Sequence, residues 1–274
     1  MHFDDASAIA FIGGGNMASA LIGGLIASGR SPATLRVVEP GADQRARLAD
    51  QFGIVARPAA DATLAQAALV VWAVKPQVFG QAAAPCAGLV AGALQLSVMA
   101  GIRSDALARA TGSARVVRSM PNTPALIGRG IAGLFATPAV AAAERALVEQ
   151  VLAPTGQTLW VAQEADLDAV TALSGSGPAY VFYLIEAMVA AALQMGLSAE
   201  QGKRLALATL DGATALAEQS DEPPERLRER VTSPGGTTHA ALQSLEADGV
   251  KAAFIKALQA ARDRARELGD EFGG

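Results

Sequence analysis

Sulfur, imidazole and aromatic rings are scarce in this chain. Of its 274 residues one is cysteine, Cys86, and two are histidine, His2 and His239. A single thiol excludes an internal disulfide and a cysteine-rich metal site, and two histidines offer little to a metal, so none is expected. Aromatic residues make up 4% of a chain that is 51% hydrophobic, which leaves Ala, Val, Leu and Ile to build the core. Strong charge of either sign is missing too. A formal net charge of −4 gives no general reason to expect nucleic acid as a partner. Nor is there a clean membrane-spanning run. Residues 6–29 are uncharged but follow Asp4 and Asp5 rather than basic residues, and they contain a glycine turn, so they read as neither signal peptide nor span. Residues 76–102 are uncharged but broken by Pro85, by glycines and by Gln77, Gln81 and Gln95, which suits a helix followed by a buried strand. The expectation is a soluble cytoplasmic protein, long enough for two domains.

Two glycine-rich strings carry most of the information. The first follows an apolar run: Gly13, Gly14, Gly15, Asn16, Met17 and Ala18 spell G-x-G-x-x-A. Gly13 suits a tight turn and Gly15 gives a pyrophosphate room on a helix N-terminus. At the third position Ala18 lets helix and strand pack closely. A second apolar run ends in an acid, Glu39, where a ribose hydroxyl is held in dinucleotide-binding folds. The second string is Thr232-Ser233-Pro234-Gly235-Gly236-Thr237-Thr238, between two stretches with helical periodicity. Pro234 fixes φ, and Gly235 and Gly236 allow left-handed angles and close approach. Free N–H groups at the start of the next helix suit a carboxylate or phosphate, with the Thr237 and Thr238 hydroxyls in reach. A plain helix cap after a turn fits the same residues.

Continuous apolar runs predict strands at 8–12, 35–38, 69–74, 94–98, 115–117, 131–135 and 158–161, buried on both faces of a largely parallel sheet. Helices at 42–52, 78–89, 104–111 and 139–151 supply the crossovers of a doubly wound dinucleotide-binding domain, residues 1–162. Strand signals then stop. Helices are predicted at 166–173, 178–195, 199–219, 224–230, 237–248 and 251–268, in a second domain of residues 163–274. From 178 to 195 only Glu186 and Gln194 are strongly polar. A helix apolar nearly all round needs burial that so small a domain cannot supply, which implies a homodimer.

Four further strings fall at strand ends or at the domain junction. Ala73, Val74, Lys75 and Pro76 end one strand on the ligand-binding edge, where Lys75 either bonds a ribose or points to solvent. Met99, Ala100 and Gly101 end the next, where small residues admit a flat nicotinamide ring. The proline-rich segment with Asn122 and Thr123 is either a loop presenting hydrogen-bonding groups or a structural brace. Ser174, Gly175, Ser176 and Gly177 make either a small anion-tolerant cup or a break for close helix packing.

No histidine or lysine suits a general base. His239 reads as a surface or packing residue, and Lys75 is the one lysine of four near an expected site. A dehydrogenase acting on a hydroxyl normally needs such a base to take the hydroxyl proton. Hydroxyl- and amide-lined loops point instead to a substrate that already carries its proton, such as a protonated cyclic imine.

The strings FIGGGNMASALIGGL, AVKPQ, SVMAGI, VRSMPNTP, LSGSGPAYVFYLIEAM and VTSPGGTTHAAL together resemble the pyrroline-5-carboxylate reductases over essentially the whole chain. That resemblance implies a Rossmann domain followed by an all-helical dimerisation domain, with dimers often assembled into rings, and NAD(P)H-dependent reduction of the pyrroline to proline. It implies that Gly235, Gly236, Thr237 and Thr238 grip the substrate carboxylate, that the Thr238 hydroxyl bonds near the ring nitrogen, and that Glu164, Ser174 and Gly177 lie by the substrate. It places Ala73 to Pro76 and Met99 to Gly101 along the cofactor, and Asn122 is expected to bind the cofactor with them. NADPH is expected to be slightly favoured and NADH accepted, although an acid at Glu39 usually favours NAD; Arg45 or Arg47 either folds back toward a 2′-phosphate or lies on an exposed helix face. The competing readings are a related reductase of a hydroxyacid or of ketopantoate, which needs a catalytic lysine for which Lys203 is the loose candidate, and a nucleotide sensor without catalysis.

Overall fold

A computed structural model describes residues 7–272. His2 lies outside the described residues. Contacts divide the chain into two compact units, one running through Ser176 and taking in Ala261 onward, the other Gly177–Ala260.

The first unit is a seven-stranded sheet in the order β2-β1-β3-β4-β5-β6-β7. Its strands are β1 (Ala8–Ile12), β2 (Leu35–Val38), β3 (Ala67–Trp72), β4 (Leu94–Ser97), β5 (Val116–Met120), β6 (Gly130–Ala136) and β7 (Gly156–Trp160). Its helices are α1 (Asn16–Ala27), α2 (Ala42–Phe52), α3 (Phe79–Ala83), α4 (Ser104–Thr111), α5 (Ala142–Leu152) and α6 (Asp166–Val170). All neighbouring strands are parallel except β5 and β6, which are antiparallel. The connection from Pro121 to Arg129 is too short for the crossover a parallel pair requires, so the chain turns back on itself. Side chains of the odd positions of β1, Ile9 and Phe11, join one apolar cluster with Leu21, Leu25, Leu48 and Val148. Ala10 and Ile12 join another with Trp72, Phe79 and Leu107. Both faces of the sheet are thus covered, which makes the first unit a Rossmann-type doubly wound fold.

Several expected bounds shift for local reasons. The single helix expected at 78–89 is broken. A 3-10 turn at Pro76–Val78, α3 and a second 3-10 turn at Ala84–Cys86 replace it, because Pro85 has no N–H and crowds the carbonyl four residues back. β5 runs on to Met120, since Arg118 and Ser119 are buried in it despite their polarity. β7 is an edge strand with every second residue exposed. Gln95, polar within an apolar strand, is fully buried and satisfied: it accepts from Trp72 Nε1 at 2.8 Å and donates to the carbonyls of Val90 and Ala93.

The expected boundary after residue 162 differs from this division. Residues 163–176 belong with the sheet because α6 seats on β6: a Cβ at Gly133 would stand 2.6 Å from Val170 Cγ1. A π-helical turn, Thr171–Gly175, continues α6 in place of the regular helix expected to 173.

The second unit contains α7 (Gly177–Gln194), α8 (Ala199–Glu218), α9 (Pro224–Arg230), α10 (Thr237–Ala247) and the first part of α11 (Val250–Phe272). Ser198 and Gln201 form the expected capping box for α8. Gly202 lets α8 close on Ala192 of α7. Only Ala192 of α7 is buried, while Phe182, Tyr183 and Leu184 are exposed. The run Asp166–Gln194 is long and apolar enough to cross a membrane by length and composition, a test that the core helix of a soluble protein also passes.

Candidate cofactor and substrate site

The glycine turn is shaped by close backbone approach. Gly13 has φ +96°, its N–H donates to the Val38 carbonyl at 2.9 Å, and a Cβ there would lie 2.5 Å from the Ala73 oxygen. Gly14 faces Leu48 just as tightly. Gly15 is different: nothing lies within 4 Å of where its Cβ would be. It stands at the N-cap of α1, with Asn16, Met17 and Ala18 in the first turn and no side chain capping them. The fold therefore leaves helix N–H groups facing clear space, the arrangement an anionic phosphate group requires. Beside the turn is an apolar cavity of about 320 Å³ whose lining includes Gly13, Val38, Pro40, Ala60, Val74 and Cys86. Burial pushes the Cys86 thiol up, so it serves there as a neutral apolar wall.

Glu39 closes this end of the sheet. Its Oε2 accepts from Gly14 N at 2.9 Å and its Oε1 from Gly41 N at 2.7 Å, which fixes the carboxylate at the turn. Arg45 Nη1 donates to the carbonyls of Glu39 and Pro40 at 3.0 and 2.7 Å. Arg47 instead donates to Gln44 on its own helix. Of the two arginines weighed from sequence, the structure brings Arg45 to Glu39.

On the neighbouring edge, Ala73 N donates to the Ile12 carbonyl and Val98 N to the Trp72 carbonyl, so Ala73 and Val74 adjoin the glycine turn. Lys75 is exposed and precedes the 3-10 turn that Pro76 opens. Met99 corrects the expectation for its string. The residue is 3% exposed and belongs to the core, so of this string exposed Ala100 and half-buried Gly101 face outward. Asn122 acts as a brace: its Oδ1 accepts from Ile131 N at 3.0 Å. Ser174 donates to the Val170 carbonyl within the π turn, and Gly175 meets Met120, whose Cε would be 2.6 Å from an added Cβ. The segment containing Asn122 and the serine–glycine loop are thereby brought together.

Glu164 is engaged by residues of the first unit. Its carboxylate is taken up by Ser104 N and Oγ, each at 2.6 Å, and by Arg118 Nη1 at 2.8 Å. It caps α4 and neutralises a buried arginine, which is a structural tie rather than an open ligand. Burial pulls the Arg118 guanidinium below its usual range and Glu164 opposes that shift. Arg103, Ser104, Arg118 and Asp168 around Glu164 escaped the sequence reading, although an arginine inside the apolar string Val116-Val117-Arg118-Ser119-Met120 was a visible signal.

In the helical unit, Gly235 has φ +73° and Gly236 forms the N-cap of α10, with no side chain capping it. Thr237 and Thr238 open the helix; Thr237 is exposed and Thr238 half-buried. Gly177 is the first residue of α7. His239 lines an open cleft of about 470 Å³ with Arg228, Thr232 and Leu242. Among the described residues no group of three or more His, Cys, Asp or Glu side chains could hold a metal.

The sheet order, the glycine turn and the acid that ends β2 define a dinucleotide-binding protein of the Rossmann class. Comparison narrows this. Residues 164–268 match the family described as pyrroline-5-carboxylate reductase dimerisation, and residues 8–101 the family described as NADP oxidoreductase coenzyme F420-dependent. The chain is 47% identical to a pyrroline-5-carboxylate reductase of Pseudomonas aeruginosa over 97% of this chain and 98% of that one. It is 37% identical to that of Escherichia coli over 95% and 97%. Among solved structures, a pyrroline-5-carboxylate reductase from Coxiella burnetii superposes with a TM-score of 0.88 at 36% identity, covering 96% of this chain and 98% of that one. The Plasmodium falciparum pyrroline carboxylate reductase with NADP bound gives 0.85 at 28% identity, covering 97% and 99%. The chain belongs to the pyrroline-5-carboxylate reductase family.

Proposed function

We propose that this protein reduces 1-pyrroline-5-carboxylate to L-proline, the last step of proline biosynthesis, with NADPH favoured slightly over NADH. The observation that carries the reading is the end-to-end correspondence with the Pseudomonas aeruginosa reductase; the glycine turn and the loop before α10 support it. The turn fits a dinucleotide, since Gly13 lets the chain close on Ala73 and Val74 while the space at Gly15 is clear. Gly13, Gly14, Gly15, Asn16 and Met17 would hold the pyrophosphate while buried Ala18 packs the helix on the core, Glu39 and Arg45 would hold the adenosine end, and Ala73 to Pro76 with Met99 to Gly101 the remainder, Asn122 bracing the adjoining loop. When bound, the nicotinamide supplies the hydride that the imine carbon accepts. Gly235, Gly236 and Thr237 would receive the substrate carboxylate at the positive end of α10 and Thr238 would orient the ring nitrogen, with Ser174 and Gly177 as further candidate substrate-binding residues. A protonated imine needs no base, which agrees with the lack of a suitable histidine or lysine.

The exposed apolar face of α7 supports a homodimer as the working form, with rings of dimers as the larger assembly. The enzyme acts in the cytoplasm, without metal, nucleic acid or membrane. The purified protein is expected to oxidise both reduced cofactors with pyrroline-5-carboxylate. Turnover of a 3-hydroxyacid or of ketopantoate, with none of this imine, would overturn the assignment.

Cofactor choice rests on Glu39. Its fixed carboxylate suits two ribose hydroxyls and opposes a 2′-phosphate, with Arg45 as the compensating charge. Glu39→Ser is expected to shift the ratio of kcat/KM values toward NADPH by roughly tenfold, about 1.4 kcal/mol. An unchanged ratio would mean that Glu39 serves the turn alone.

A further inference from the structure

The segment between β4 and α4 is held by the far end of the chain. Gly101 has φ +76°, and a Cβ there would stand 3.2 Å from both the Leu268 carbonyl oxygen and the Phe272 ring. Two residues on, the Arg103 guanidinium lies across Gly269 so closely that an added Cβ would be 2.5 Å from Nη2, 2.8 Å from Cζ and 2.9 Å from Nε. Arg103 Nη2 pairs with Asp168 at 3.5 Å and with Asp270 at 3.7 Å. Arg103 is mostly shielded, with its side chain 20% exposed, and Asp168 is at 13%, whereas Asp270 is open to solvent at 73%. The Asp168 pair therefore carries most of the electrostatic weight. The next residue, Ser104, is fixed independently by Glu164.

We propose that Arg103 is a positioning residue for hydride transfer: seated on Gly269 and paired with Asp168, it holds the Met99–Ala100–Gly101 backbone in the one conformation that sets the nicotinamide ring. This rests on the reductase reading for the identity of the ring, but not for the clamp itself. Arg103 touches neither substrate nor cofactor in this scheme. It acts through the loop, whose left-handed Gly101 packs on the last turns of α11 between the buried side chains of Met99 and Ile102. Small displacements of a reacting group carry large rate costs, up to a hundredfold for about 1 Å. Loss of the clamp is thus expected to slow the chemical step while leaving the adenosine end untouched.

Two variants separate this from a general loss of fold. Arg103→Gln removes the charge. Gly269→Ala leaves every charge in place and pushes only the flexible end of Arg103 off its seat. Both are expected to raise hydrogen exchange at residues 98–103 of the cofactor-free protein and leave exchange at residues 35–41 unchanged. Both are also expected to lower kcat roughly tenfold, to enlarge the isotope effect with cofactor deuterated at the transferred position, and to keep the affinity for ADP-ribose within twofold. Parent-like loop exchange and isotope effect in both variants would overturn the proposal. If the parent itself does not reduce the imine, the functional reading fails, and the exchange measurement still decides whether the clamp exists.

Discussion

Replacing Gly13 with alanine is expected to abolish measurable cofactor binding and to lower the melting temperature by about 5–15 °C. Two separate costs meet at this residue. Its φ of +96° charges any L side chain about 1–2 kcal/mol. A Cβ would also stand 2.5 Å from the Ala73 oxygen and 2.9 Å from Val74 Cγ1, and forcing apart packed backbone adds about 1–3 kcal/mol. For a chain of this size each kcal/mol moves Tm by roughly 2–4 °C. The geometric consequence is worse than the energetic one. Relief of the clash must separate β1 from β3 at the point where Ala73 N bonds the Ile12 carbonyl, and that moves the first turn of α1. Gly53 provides the control. It has φ +68° with nothing within 4 Å of an added Cβ, so Gly53→Ala bears the conformational cost alone and should leave cofactor affinity intact. Thermal denaturation and fluorescence titration with NADPH measure both effects. Equal behaviour of the two variants would show that left-handed conformation, rather than close approach, is what Gly13 supplies.

The same residues show how far sequence reading reaches. β1, β2, α2, α4 and α9 fall at their expected bounds, because each is framed by local signals: apolar runs, a left-handed glycine after α2 and α4, a proline at the start of α9. Where the decisive force is local but of the opposite sign, as with Pro85, periodicity carried the helix too far. The larger departures have tertiary causes. Arg118 and Ser119 remain in strand because β6 pairs with both and β4 with Arg118, and Arg118 is tolerated because Glu164 reaches it from a segment 46 positions away in sequence. No window of sequence contains both. The Rossmann turn was legible because its chemistry sits in six consecutive residues. The clamp of Arg103 on Gly269 was not, since glycine within α11 reads only as a weak helix former until a guanidinium is seen lying on it.

Thr238→Ala is expected to lower kcat/KM for the imine by roughly ten- to a thousandfold while leaving the cofactor Kd nearly unchanged. Thr238 is the second residue of α10, after Gly235 and Gly236 have turned the chain and left the helix N-terminus without a side-chain cap. Alanine is a better helix former than threonine, so the substitution does not weaken α10 and any loss belongs to the hydroxyl. A hydrogen bond to a charged group contributes about 1.5–3 kcal/mol, which alone gives roughly one to two orders of magnitude in rate. The upper end of the range adds the loss of orientation, since a ring held by its carboxylate but free to rotate presents its imine carbon in many directions. Thr237 separates hydroxyl chemistry from helix-end electrostatics. It shares the same turn but is exposed where Thr238 is half-buried, so Thr237→Ala should fall only a fewfold. Thr238→Ser keeps the hydroxyl and should recover most of the activity, with the greater loss in kcat if the missing methyl group loosens its rotamer. Equal losses at the two threonines would assign the effect to the α10 terminus as a whole. A fully active Thr238→Ala would leave carboxylate capture by the Gly235 and Gly236 backbone as the loop's only contribution.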